Sequence, residues 1–220
     1  MAGFGKTTAI ASWLHHLRVQ EGDNMPAVAW LALDESDNDP TRFFAYLIGA
    51  FQRIDARLGV SLQHLLQTPQ PLVWEGLLTT LINELSQQKN ELLLVLDDYH
   101  FIVAQEIQRS LIFFIENLPP NVHLAITTRS DPPWPLARWR VKRHIVDIRA
   151  ADLRFSQPEI EEYLRQTVGT VSATDLSALE QRTEGWIAGL QLAVLPLADS
   201  ENPSDFIRSF SGSQSYVMDY

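Results

Sequence analysis

The sequence predicts an α/β chain, with a parallel sheet in residues 1–150 and a smaller all-helical subdomain in residues 151–220. Three observations predict it. Short, continuous apolar runs recur along the first 150 residues, as expected of strands covered on both faces. The stretches between them carry helical periodicity, and strands joined by helical crossovers must run parallel. After about residue 150 the strand-like runs stop and only helical patterns remain.

The elements follow in order. Ala27-Val28-Ala29-Trp30-Leu31-Ala32-Leu33 is the first predicted strand, Leu92-Leu93-Leu94-Val95-Leu96 the second and Val122-His123-Leu124-Ala125-Ile126 the third. His144-Ile145-Val146-Asp147-Ile148 is predicted as a weaker fourth. Between them, Phe44, Leu47, Ile48 and Phe51 share a helix face behind the start signal Asp39-Pro40-Thr41. Leu78, Leu81, Ile82 and Leu85 repeat that spacing, and Ile107, Leu111, Ile115 and Leu118 form a looser stripe. In the last third, Ser156-Gln157-Pro158-Glu159 reads as an N-cap, a first-turn proline and a capping-box glutamate, with Ile160, Tyr163 and Leu164 on one face. Trp186, Leu190, Ala193, Val194 and Leu197 mark a further amphipathic helix.

Composition excludes several functions. The 220 residues include 27 acidic and 17 basic side chains, a net charge of −10. Such a surface repels a phosphate backbone, so this segment is not expected to grip nucleic acid itself. The chain has no cysteine, which removes disulfides, thiol catalysis and cysteine-bound metals. No apolar run approaches the roughly 18–20 residues needed to span a bilayer, and no signal-peptide pattern opens the chain. The cytoplasm is the expected compartment.

The strongest chemical signal stands at the start. Ala2-Gly3-Phe4-Gly5-Lys6-Thr7-Thr8 runs into the helical stretch Ala9–Leu14 and matches the second half of a phosphate-binding P-loop. Glycines let the backbone turn its N–H groups around an anion, and the helix that follows adds its positive end. Gly3, Phe4, Gly5, Lys6, Thr7 and Thr8 are therefore the candidate nucleotide-binding residues, with Lys6 reaching the β- and γ-phosphates and Thr7 a ligand of Mg²⁺. The full pattern places a first glycine five residues before Gly5, ahead of Met1, and the strand that would deliver the loop is also absent. The expectation is a P-loop sheet lacking its first strand.

The second predicted strand ends in Asp97-Asp98, two carboxylates at the tip where open α/β sheets bind ligands. In P-loop enzymes one such carboxylate holds the Mg²⁺ shell and a second orients water. Alone, the pair reads as a solvated turn; together with the P-loop it reads as a metal and water site. The third strand ends in Thr127-Thr128-Arg129, and an arginine there can sense the γ-phosphate or simply make a surface ion pair.

These strings together resemble the signal-transducing STAND NTPases, and most closely the MalT-type, ATP-dependent branch of the LuxR-family transcriptional regulators. The resemblance is carried by Ala2–Thr8, Trp30-Leu31-Ala32-Leu33-Asp34-Glu35 with Asp37-Asn38-Asp39-Pro40, and Val95-Leu96-Asp97-Asp98-Tyr99-His100. Thr128-Arg129-Ser130-Asp131-Pro132-Pro133, Leu136-Ala137-Arg138 and Asp152-Leu153-Arg154-Phe155-Ser156 continue it. Gly185-Trp186-Ile187-Ala188-Gly189-Leu190-Gln191-Leu192, Phe210-Ser211-Gly212-Ser213 and Tyr216–Tyr220 complete it. It implies a switch that binds ATP or ADP with Mg²⁺, inhibited with ADP, self-associating with ATP plus an inducer, and reset by slow hydrolysis. Promoter DNA would be read by a C-terminal helix-turn-helix beyond residue 220. Carried over by position, the resemblance makes Lys6 and Thr7 the Walker A pair, Asp97 the Mg²⁺ carboxylate, Asp98 the water-orienting acid and Arg129 a sensor arginine. Residues 151–220 become a lid subdomain ending before a winged-helix segment. Ile187 departs from the proline frequent at its place in the family string, and the start at Met1 makes the chain read as a fragment.

Other residues carry less. The six histidines show no metal spacing, and the adjacent His15 and His16 cannot share a helix face. Trp134, Trp139 and Arg138 read as a packed loop, Trp186 as a core anchor or a neighbour of a bound base, and Asp34-Glu35 and Glu161-Glu162 as solvated charges. Two further functions compete with the switch: a nucleotide-independent interaction module with a non-functional P-loop, and a P-loop small-molecule kinase. The kinase reading is disfavoured because Arg154, Arg165, Arg182 and Arg208 of the lid are unclustered.

Overall fold

The computed structural model describes residues 3–66, 73–169 and 171–194. It falls into two compact units, Ile10–Lys142 and the described parts of Met1–Ala9 with Arg143–Tyr220. Helix α1 (Lys6–Glu21) begins in the second unit and continues into the first.

The larger unit is an α/β sheet unit. After α1 come β1 (Ala27–Ala32), α2 (Pro40–Gln52), α3 (Val60–Leu66), α4 (Trp74–Ser86), β2 (Leu92–Asp97), α5 (Gln105–Glu116), β3 (Val122–Ile126) and α6 (Leu136–Val141). The strands form a parallel sheet in the order β1-β2-β3, with Ala27 opposite Leu92 and Leu92 opposite Val122. Central β2 is buried along all six residues, which is why its sequence is apolar without alternation until Asp97.

The helices stand where their start signals and apolar faces put them. Asp39 caps α2 by accepting the Arg42 N–H at 2.8 Å, and Pro40 occupies the first turn. Phe43, Phe44, Leu47, Ile48 and Phe51 are all buried, and full burial of such a side chain contributes roughly 1.5–3 kcal/mol. Phe44 also packs on Trp74, with ring centroids 4.6 Å apart. In α4, Leu78, Leu81 and Leu85 are buried as their spacing requires. The α5 face is Ile107, Leu111 and Phe114; Ile115 is only partly covered and Leu118 lies beyond the helix end.

The turns that follow β1 and β2 are joined by one side chain. Asn38 donates through Nδ2 to the Phe101 carbonyl at 2.8 Å and accepts the Val103 and Ala104 N–H groups on Oδ1 at 2.8 and 3.0 Å. Asp34, an exposed charge in sequence terms, caps the first of these turns by accepting the Ser36 N–H at 2.7 Å. The Ser36 hydroxyl and N–H hold its carboxyl below the usual carboxylate range.

The smaller unit contains α7 (Gln157–Thr167), α8 (Ala173–Thr183) and α9 (Ile187–Val194), and none of its described residues forms a strand. Its core is Ile160, Leu164, Leu176, Leu179, Leu190, Ala193 and Val194. The Glu159 carboxylate accepts the Ser156 N–H at 2.7 Å and the Ser156 hydroxyl at 2.6 Å, the capping arrangement its spacing predicts.

One predicted element is corrected. His144–Ile148 is not a strand, and Val146 and Ile148 are 92% and 70% exposed. An apolar run makes a segment compatible with a strand, but the element exists only where a neighbour supplies a hydrogen-bonding ladder. No described residue does so here. Leu197 and the strings at 210–220 lie outside the described residues.

Candidate functional site

The predicted site residues divide between the units. Asp97, Asp98 and Arg129 belong to the larger unit, Gly3–Thr8 to the smaller.

At the C-terminal edge of the sheet, Asp97 is the last residue of β2 and is 5% exposed. Its Oδ1 accepts the Thr127 hydroxyl at 2.5 Å. The parallel register causes this pairing: Leu96 stands opposite Ile126, so the next residues, Asp97 and Thr127, leave their strands side by side. The Thr127 oxygen also accepts the Asp98 N–H at 2.8 Å. Backbone bonds hold Thr127 on both sides, from its N–H to Leu96 at 3.0 Å and from the Tyr99 N–H to its carbonyl at 2.9 Å.

Asp98 leaves the strand in the left-handed region, at φ 57° and ψ 40°. Aspartate tolerates that conformation better than most residues, and strained backbone of this kind concentrates at functional sites. Its carboxylate is 44% exposed and stands 3.6 Å from His100 Nδ1. The His100 ring in turn packs on Phe101, centroids 4.2 Å apart. Asp97 is thus enclosed and bonded, whereas Asp98 faces outward.

Behind the site, Gln108 of α5 accepts both the Tyr99 hydroxyl and the Trp134 indole N–H on one oxygen, each at 2.7 Å, and donates to the Ile102 carbonyl at 2.6 Å. Burial raises the Tyr99 hydroxyl's pKa, so it stays a donor. Trp139 donates to Glu116 at 3.2 Å, and Arg138 pairs with the same carboxylate. Trp134 and Trp139 are buried, but Trp139 and Arg138 stand on helix α6 rather than in the packed loop expected, and the two tryptophans hold the segment after Arg129. Arg129 is exposed, and the Thr128 hydroxyl donates to the Ser130 carbonyl at 2.8 Å.

In the smaller unit, Gly3 and Gly5 sit at φ +69° and +67°, and Lys6, Thr7 and Thr8 form the first turn of α1. Alternating left-handed glycines turn successive N–H groups to one side, the backbone concavity that holds anions. The loop lies against the Gly185–Gly189 string. A Cβ on Gly3 would fall 2.6 Å from Ala188 Cβ and 2.9 Å from Trp186 Nε1, and the Ala188 N–H donates to the Gly3 carbonyl at 3.2 Å. Trp186 is half-buried, its ring 6.3 Å from that of Phe4 and outside the helical core.

These donors fit a Mg²⁺–nucleotide. A glycine cradle at a helix start suits phosphate. Among the described residues no trio of His, Asp or Glu is placed to hold a metal alone, whereas Mg²⁺ in phosphate sites takes one or two carboxylates plus phosphate oxygens. Asp97, buried at the tip of β2, is such a carboxylate. Sequence reasoning stopped at Arg129 and passed over Thr127, Asn38 and Gln108. The available signal was that two adjacent parallel strands each end an apolar run in a polar residue.

The family model described as the NACHT domain matches residues 1–170. The chain is 30% identical over 220 residues to the serine/threonine-protein kinase PknK of Mycobacterium tuberculosis (strain ATCC 25618 / H37Rv), covering all of this chain and 20% of that protein. It is 33% identical over 202 residues to the HTH-type transcriptional regulator MalT of Serratia proteamaculans (strain 568), 91% of this chain and 22% of that protein. To MalT of Vibrio cholerae serotype O1 it is 32% identical over 195 residues, 88% and 21% respectively. The chain spans about a fifth of the length of these curated relatives. No helix among the described residues is long and apolar enough to cross a membrane. The chain belongs to the NACHT family of P-loop NTPase domains, is homologous to the MalT transcriptional regulators, and is a nucleotide-binding regulatory domain.

Proposed function

We propose that this domain is the ATP-binding, slowly hydrolysing switch of a cytoplasmic MalT-like transcriptional activator, inhibited with ADP and activated by ATP plus an inducer. Gly3, Phe4, Gly5 and Thr8 surround the phosphates with backbone donors, Lys6 offsets their charge and Thr7 and Asp97 hold Mg²⁺. When bound, Mg²⁺ offsets charge on the β- and γ-phosphates. Asp98, the more exposed carboxylate, orients the attacking water and accepts its proton. Arg129 responds to the γ-phosphate. Residues 1–150 act as the NTPase core and 151–220 as the lid, and the ATP state self-associates. Promoter DNA is bound by a helix-turn-helix elsewhere in the whole protein.

One observation carries the reading: a buried carboxylate fixed by a hydroxyl at the tip of the central strand, next to a strained, outward-facing second carboxylate. Similarity over the same stretch to a kinase and to a transcriptional regulator also supports a switch whose output is supplied elsewhere in each protein.

The test is nucleotide-dependent thermal stabilisation of the full protein, since a ligand that binds only the native state raises the melting temperature. A shift with Mg²⁺·ATP and Mg²⁺·ADP is expected, and Lys6→Ala is expected to raise the nucleotide concentration that produces it about 10- to 100-fold, the scale of one charge-assisted contact. A melt indifferent to nucleotide in the wild type overturns the switch in favour of the interaction module.

A further inference from the structure

Thr127 is 3% exposed and lies one residue beyond β3, fixed by backbone hydrogen bonds to Leu96 and Tyr99 on either side. A β-branched side chain on a clamped backbone has few rotamers. Its hydroxyl has one proton to give. The Asp98 N–H occupies an acceptor position on Oγ1, so that proton is directed to Asp97 Oδ1, 2.5 Å away. The same oxygen therefore orients the plane of one carboxylate and anchors the backbone from which the other departs into the left-handed region.

We infer that Thr127 is a positioning residue for the metal: its hydroxyl holds the Asp97 carboxylate in the orientation that receives Mg²⁺ of the bound nucleotide. This rests on the switch reading above and adds to it a residue that touches neither nucleotide nor water. A carboxylate with one oxygen tied by a hydroxyl presents the other in a set direction. Losing the tie removes one restraint on its χ2, an intrinsically broad torsion. The partners that orient metal ligands typically affect metal affinity by about 10- to 100-fold.

The experiment titrates Mg²⁺ against the full protein at saturating ADP, reading the melting temperature, with a parallel nucleotide titration in EDTA. Thr127→Val removes the hydroxyl at nearly constant volume and is expected to raise the Mg²⁺ midpoint about 10- to 100-fold, while nucleotide binding in EDTA changes less than about twofold. Thr127→Ser, which restores the donor, is expected to return the midpoint to within about threefold of wild type. A role confined to capping the strand end would lower the melting temperature without nucleotide and leave the Mg²⁺ midpoint unmoved, and that result overturns the assignment. If Thr127→Val does not fold, Thr127→Ala takes its place beside Thr127→Ser. A wild type whose melt ignores nucleotide overturns the switch reading, and this inference with it. A wild type that responds to Mg²⁺, with a variant midpoint equal to it, overturns the Thr127 assignment alone.

Discussion

Trp134 donates its indole N–H to the side-chain oxygen of Gln108 at 2.7 Å, across the buried gap between the segment after β3 and helix α5. Tyr99, from the turn after β2, donates to the same oxygen at 2.7 Å, and its ring packs on Trp134 with centroids 4.8 Å apart. One glutamine therefore fixes the two segments that carry Asp98 and Arg129. Replacing it with leucine would leave two buried donors unsatisfied, each costing about 1–3 kcal/mol. Gln108→Leu is expected to destabilise the larger unit by about 3 kcal/mol, read as a lower denaturant midpoint. A change below half that value would mean the donors find other partners.

On the proposed switch reading, Asp98→Asn keeps the shape of the turn and removes the carboxylate that orients water. Turnover of Mg²⁺·ATP is expected to fall about 10²- to 10⁴-fold, the usual worth of a positioned general base, with nucleotide binding retained. Undiminished hydrolysis by this variant would remove Asp98 from the mechanism.

The helical unit contains a position where only glycine fits. Gly185 sits at φ +71°, and a Cβ there would run into the backbone of Phe155, whose N–H donates to the Gly185 carbonyl at 2.9 Å. Gly185→Ala is expected to cost about 2 kcal/mol or more, combining the left-handed penalty with the clash. A melt that moves by less than a degree would show that the 155 segment yields without cost.

A pH dependence follows from the α7 cap. The Ser156 hydroxyl and N–H hold the Glu159 carboxyl below its usual value of 4.5. A folded-state pKa that is depressed contributes stability above the unfolded value, and that contribution is lost as pH falls through the folded one. The cap's contribution is therefore complete above about pH 5 and declines as the solution is acidified below pH 4.5. Glu159→Gln should flatten the corresponding part of the stability–pH curve of the helical unit. An unchanged slope between pH 5 and 3 would assign the acid sensitivity to other carboxylates of that unit, such as Glu162, which Gln166 and Arg165 hold below the usual value.

The amino-acid sequence by itself determined whatever depends on neighbours along the chain. The three apolar runs became β1, β2 and β3, the Asp39-Pro40 and Ser156–Glu159 signals started α2 and α7, and the carboxylate pair stands at the tip of the central strand. Each follows from local hydrogen bonds or from the periodicity of burial. The short α3 and α6 carry too few turns for their periodicity to stand out. Only the tertiary structure decided what depends on residues distant in sequence. Strand register set Thr127 beside Asp97, burial turned Gln108 from an ordinary helix-surface residue into a three-way anchor, and Asn38 spans more than sixty residues to bind the second turn. For the same reason His144–Ile148, a weak apolar run, is not a strand: the run is written in the chain, but a ladder needs a partner.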